Sequence, residues 1–166
     1  MHYLLVSLSH KNTDLKLREK MAFDGERKRD LLKALAERPA INEVMVLTTC
    51  NRMEIIANVK NPHDALSCIF QTLNDCTGID KAELEGRADS FEDEGAVRHI
   101  FSVASALESV VIGETQITGQ LKDDFKFAES GGFAGQKLTR LVTYAVKCAG
   151  AVRNATQVQK YTNMAS

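Results

Sequence analysis

Glu43-Val44-Met45-Val46-Leu47-Thr48, a gap of Thr49-Cys50-Asn51-Arg52, and then Met53-Glu54-Ile55-Ile56-Ala57-Asn58-Val59 form the stretch that decides the fold. Both flanking runs are short and rich in apolar and β-branched side chains, and the gap between them suits a hairpin or a tight strand connection. The chain is therefore read outward from two neighbouring strands with a thiol, Cys50, at the turn that joins them.

Upstream, Tyr3 to Ser9 (YLLVSLS) reads as a further strand, apolar enough to be expected in the middle of a sheet. Between it and the hairpin, Thr13 or Asn12 is expected to cap a short helix carrying Leu15, Leu17 and Met21. Asp24 is expected to cap a second, with Leu31, Leu32 and Leu35, that stops before Pro39. Its basic residues Arg27, Lys28, Arg29 and Lys33 are expected on a solvated face. Downstream, Asn61 before Pro62 starts a helix with Leu66, Ile69, Phe70 and Leu73 along one side, ended by Gly78. Lys81 to Asp93 is polar and weakly patterned, with a short last strand expected around Ala88 to Phe91.

From Glu94 the period becomes helical. The stripes are Val97, Ile100, Phe101, Ala104 and Leu107, then Ile117, Leu121, Phe125 and Ala128 up to Gly131-Gly132, then Leu138, Leu141, Val142, Ala145, Ala149 and Val152. Strands interleaved with helices in the first half and helices alone in the second indicate an α+β chain with an appended helical portion.

The 166 residues carry 21 basic and 22 acidic side chains, a net charge of -1, so no global field calls for a polyanion. Only 2 Pro and 10 Gly argue against disordered and linker classes. Cys50, Cys68, Cys76 and Cys148 show neither zinc-site pairing nor disulfide density, and the first apolar run is too short for a signal peptide. No run approaches the length of a membrane span. A reduced, cytoplasmic protein without a metal fits these counts.

Chemistry concentrates at the hairpin turn. A thiol attacks as thiolate, and a guanidinium two residues on, Arg52, is a setting that favours the anion. Arg52 alternatively grips a substrate carboxylate through its planar fork. Most isolated cysteines in such domains are structural, but a turn exposes this one. His99, beside Val97, Ile100 and Phe101, is either a satisfied packing histidine or a proton-handling group near the thiol. Ser109-Val110-Val111-Ile112-Gly113-Glu114-Thr115-Gln116-Ile117 places small and polar residues where one helix gives way to the next, either an ordinary capped break or a source of free amides for a polar ligand. Gly131-Gly132-Phe133-Ala134-Gly135 follows a helix rather than a strand and is not a dinucleotide fingerprint.

Three blocks together resemble the N-terminal catalytic domain of the glutamyl-tRNA reductase family. They are Ser9-His10-Lys11 with Leu17-Arg18-Glu19, then Thr48 to Glu54, then Ser109 to Ile117 with Gln120. The resemblance implies a ferredoxin-like antiparallel sheet followed by an all-helical portion. It implies that Cys50 attacks the aminoacyl ester of glutamyl-tRNA, giving a thioester that NADPH reduces to glutamate-1-semialdehyde for tetrapyrrole (heme) synthesis. By the same resemblance Thr49, Asn51, Arg52, Ser109, Glu114, Thr115, Gln116 and Gln120 bind substrate and His99 serves activity. Residues 1–153 would form the catalytic domain, its α/β portion covering residues 1–92 and its helical portion residues 93–153, and 154–166 would begin a linker to an NADPH-binding domain absent here. The complete enzyme would be a homodimer through a further domain, and this chain alone would hydrolyse glutamyl-tRNA. The competing expectation is a noncatalytic tRNA-docking or protein-interaction module using Arg140, Lys147, Arg153 and Lys160 of the last helix. A weaker one is a cysteine hydrolase or redox sensor of another fold.

Overall fold

A computed structural model describes residues 1–105 and 116–165, with side chains for 1–105 and 117–151. The strands are β1 (His2–Ser9), β2 (Ile41–Thr48), β3 (Arg52–Val59) and β4 (Asp89–Glu92). The helices are α1 (Leu15–Lys20), α2 (Gly25–Ala36), α3 (Pro62–Thr77), α4 (Lys81–Arg87), α5 (Asp93–Ala104), α6 (Gln116–Ser130) and α7 (Gln136–Ala165). The sheet order is β2-β3-β1-β4 and all three pairings are antiparallel, which is the ferredoxin-like arrangement. β1 is internal, as its apolar sequence indicates.

Strand alternation separates two faces. Leu4, Val6, Leu8, Val44, Val46, Met53, Ile55 and Ala57 are aligned by the register on one face and all are buried. On this side α2 packs against β2 and α3 against β1. Tyr3, Leu5, Ser7, Arg52, Glu54 and Ile56 face the other way, where α5 and α7 pack, while α6 runs along the open edge of β2. The helical half is thus a second layer laid on the back of the sheet, which leaves every residue of β3 buried.

Local signals account for most ends. Asn61 Oδ1 accepts the Asp64 N–H at 3.2 Å with Pro62 in the first turn, and Gly78 closes α3 at φ 74°, a left-handed geometry open to glycine. α1 is capped by Asp14, whose Oδ1 accepts the Leu17 N–H at 2.8 Å, rather than by Thr13 or Asn12. Those two side chains instead close the exit of β1: Thr13 Oγ1 donates to Ser9 O at 2.7 Å and Asn12 Oδ1 accepts the Ser9 N–H at 2.8 Å. α4 has no apolar stripe to betray it. It buries only Leu84 and carries the i,i+4 pairs Lys81–Glu85 and Arg87–Glu83. α7 continues through residues 154–165, the stretch expected to be a linker. Among the described residues no helix is long and apolar enough to cross a membrane.

Candidate active site

Two bonds within the β2–β3 turn shape it: Thr49 N–H donates to Arg52 O at 2.9 Å and Asn51 N–H donates to Thr49 Oγ1 at 3.2 Å. Two more reach it from the β1–α1 segment. His10 N–H donates to Asn51 O at 2.9 Å, and Arg18 Nη1 lies 3.5 Å from the Cys50 carbonyl oxygen. The backbone is held while Cys50 itself stays exposed. That combination suits a nucleophile, which must meet a substrate without the loop having to reorganise.

Arg52 and Glu54 are two residues apart on a strand and therefore share the face covered by the helical layer. Register sets Ser7 opposite Glu54. Glu54 is fully buried, and its Oε1 accepts from Ser7 Oγ at 2.8 Å and from Arg52 Nη1 at 3.1 Å. His99 Nε2 of α5 meets the same oxygen at 2.7 Å. A carboxylate oxygen is an acceptor, so the imidazole completes the set through Nε2. Phe91 stacks on the ring, centroids 4.5 Å apart and planes 17° from parallel, which fixes its orientation. Glu54 Oε2 is buried and has no hydrogen-bond partner among the described residues. A carboxylate so placed is tolerable only because a cation and two further donors converge on it.

The open edge of β2 is tied to α6 and to the start of α7. Asp124 Oδ2 accepts the Thr48 N–H at 3.0 Å, while Asp124 Oδ1 pairs with Lys28 of α2. Lys28 is 8% exposed, which corrects the expectation of a solvated residue: it crosses the sheet edge to neutralise a buried carboxylate. Gln120 lies one turn before Asp124 on α6 and is half-buried. α6 runs opposite to β2, since Val44 N–H meets Phe133 O beyond its far end, so Gln120 is carried toward the Cys50 end of the hairpin. Gln116 opens the helix a further turn on, and its side chain lies outside the described residues, as do Ser109, Glu114 and Thr115.

The structure thus brings Arg52 and His99 together through Glu54, with Thr49, Cys50 and Asn51 on the adjoining turn. Glu54, His10 and Arg18 lie within the motif blocks but receive no role from the sequence, and Ser7 lies outside the blocks. The signal for Glu54 was a lone carboxylate in an apolar strand at period two from Arg52. The His10 imidazole is pushed toward its neutral form by burial and then by the Arg52 guanidinium, with Lys11 and Arg18 adding to the effect.

The glycine-rich start of α7 does not fit a dinucleotide. The amides of Gly135, Leu138 and Lys137, at the glycine-rich start of α7, already donate to the Glu43 carboxylate at 2.6, 3.1 and 3.1 Å, where a phosphate would have to lie. Among the described residues no group of His, Cys, Asp and Glu could hold a metal ion. On α7, Arg140 and Lys147 are exposed with Tyr144 between them, while the side chains of Arg153 and Lys160 are outside the described residues.

Residues 6–156 match the family model described as glutamyl-tRNAGlu reductase, N-terminal domain. The chain is 52% identical over 161 residues to the glutamyl-tRNA reductase of a Nitratiruptor species, and 52% identical over 161 residues to that of Wolinella succinogenes. In both cases 96% of this chain and 37% of the relative are covered, so the chain spans a little over a third of their length. Its fold is similar to that of glutamyl-tRNA reductase from Methanopyrus kandleri, with a TM-score of 0.72 and 27% identity over 92% of this chain and 34% of that one. A hairpin turn that presents a thiol over a buried Arg–Glu–His network accordingly belongs, with the rest of this chain, to the glutamyl-tRNA reductase N-terminal domain family.

Proposed function

We propose that this chain performs the acyl-transfer half of glutamyl-tRNA reduction, and the observation that carries the reading is the exposed Cys50 on a turn anchored over buried Arg52, Glu54 and His99. The Cys50 sulfur, as thiolate, adds to the ester carbonyl carbon of glutamyl-tRNA. The C–S bond forms, the C–O bond to the terminal ribose breaks, the ribose oxygen takes up a proton and tRNA leaves a glutamyl thioester. Arg52, aligned by Glu54, binds a glutamyl carboxylate, with Thr49, Asn51 and Gln120 beside it. Ser109, Glu114, Thr115 and Gln116 complete the pocket. His99 spends Nε2 on Glu54, so it acts as a positioning residue for the Glu54–Arg52 pair.

NADPH serves the complete reductase, which delivers the semialdehyde to tetrapyrrole synthesis in the cytoplasm as a homodimer. The glycine-rich start of α7 already holds Glu43, and no hydride step is assigned to this chain. Residues 1–153 act as the catalytic unit and 154–166 as the start of a linker, helical over 154–165. Without a reductant the thioester meets water, so this chain releases glutamate from glutamyl-tRNA slowly. Incubating it with charged tRNA and NADPH and mapping the protein mass tests this. A glutamyl adduct on Cys50 and free glutamate are expected. Semialdehyde production would overturn the half-reaction, and hydrolysis undiminished in Cys50→Ser would remove the thiol from the chemistry.

A further inference from the structure

We propose that Arg18 is the phosphate-binding residue of this site, taking the backbone phosphate next to the reacting ribose of an RNA 3′ end. The inference rests on the acyl-transfer reading and extends it to the portion of the substrate that departs. An ester attacked by Cys50 has two arms. The acyl arm is small and suits the buried Arg52–Glu54 side of the turn, where Arg52 is 3% exposed. The ribose arm continues into a macromolecule and must leave over the open side. Arg18 stands on that side, on the short helix after β1, with Nη1 3.5 Å from the Cys50 carbonyl oxygen.

A guanidinium offers five N–H donors in one plane. The Arg18 bond to Cys50 is exposed and at the long limit, and among the described residues its buried Nε has no hydrogen-bond partner, so the side chain is not locked by its surroundings. The terminal nitrogens of a guanidinium presented in this way are matched by an oxyanion with two adjacent acceptor oxygens, which a phosphodiester presents. His10 packs at the same turn with its buried Nδ1 likewise unpartnered. Burial first, and then the nearby charges of Arg52, Lys11 and Arg18, push it toward the neutral form. That field, concentrated around one turn of a chain with a net charge of -1, favours an anion there and nowhere requires a generally basic surface.

The test compares two glutamyl donors on the same protein: glutamyl-tRNA, and a glutamate α-thioester of a simple uncharged thiol that lacks any phosphate. The rate of glutamyl adduct formation on Cys50 is followed by mass for the unsubstituted protein, Arg18→Gln and Arg18→Lys. In Arg18→Gln the preference for glutamyl-tRNA over the phosphate-free donor should fall about tenfold or more. The dependence of glutamyl-tRNA reaction on salt should lose about one unit of log–log slope. Arg18→Lys, which keeps the charge but not the fork, should fall between. Because the readout is a ratio, a loss of folded protein cancels. An unchanged ratio and salt slope in Arg18→Gln would overturn the phosphate contact while leaving the Cys50 chemistry standing. No adduct from either donor in the unsubstituted protein would overturn the thioester reading and this proposal together.

Discussion

Ile55 and Glu54 are neighbours on β3, both with 0% exposure, yet they face opposite sides of the sheet and opposite kinds of interior. Toward α2 and α3 the buried centre of the sheet presents mainly aliphatic side chains, Leu4, Val6, Val44, Val46, Ile55 and Ala57, whose contribution comes from burial and close packing. Toward α5 it presents Ser7, Arg52 and Glu54 in one hydrogen-bonded group closed by His99. The aliphatic face tolerates substitutions of similar volume, because dispersion and burial are not directional. The polar face has no such latitude, since each group there is desolvated and depends on its partner. One strand thus secures the fold with one face and organises the thiol turn with the other.

That contrast is open to direct attack. Glu54→Ala leaves Arg52 buried without its carboxylate and should cost about 3–5 kcal/mol in denaturant unfolding. It should also depress Cys50 acylation in the fraction that remains folded. Full acylation in a folded Glu54→Ala protein would sever the network from the chemistry. Ile55→Ala removes buried methylenes from the opposite face and should cost about 2–5 kcal/mol, falling below the Glu54 variant within that range. Its acylation rate per folded molecule should match the parent, and a drop would show that the two faces are coupled.

Away from both faces, Asn61→Ala deletes the cap of α3 and should cost about 1 kcal/mol. A loss approaching that of Ile55→Ala would mean that the helix end governs the packing of the apolar face. The smallest effect concerns His10. Burial and the Arg52 charge hold its pKa below the ordinary histidine value, so the folded state binds its proton less readily than the unfolded chain. The stability it contributes is complete above the ordinary histidine range and is lost as pH falls through that range toward the depressed folded value. Stability curves of the parent and His10→Gln should therefore converge on acidification from pH 7 to 5. Parallel curves would remove His10 from the field around Cys50.

Legibility followed the physics of each element. The hairpin, β1 and α3 were plain because apolar runs, an Asn-Pro start and a glycine stop act within a few residues. α4 was hidden because ion pairs and a single leucine hold it instead of a stripe. Lys28 reads as solvated on its own helix, and only Asp124, 96 residues away, accounts for its burial. The Cys50 turn was visible as an unusual residue at a tight connection. The Glu54–His99 contact spans 45 residues and two elements, so no local pattern announces it.

By itself the sequence determined every strand and the helices other than α4, the central place of β1, the position of the thiol at a turn and, through three motif blocks, the family. These follow from local conformational preference, alternation of apolar residues and residue identity, none of which needs a partner from elsewhere in the chain. The tertiary structure decided that the helical half lies on the second face of the sheet rather than beyond it. It also decided which charges could be buried: Lys28 and Asp124 offset each other's desolvation only because the fold joins segments 96 residues apart, and the local Arg52–Glu54 pair is closed off only by His99 from 45 residues on.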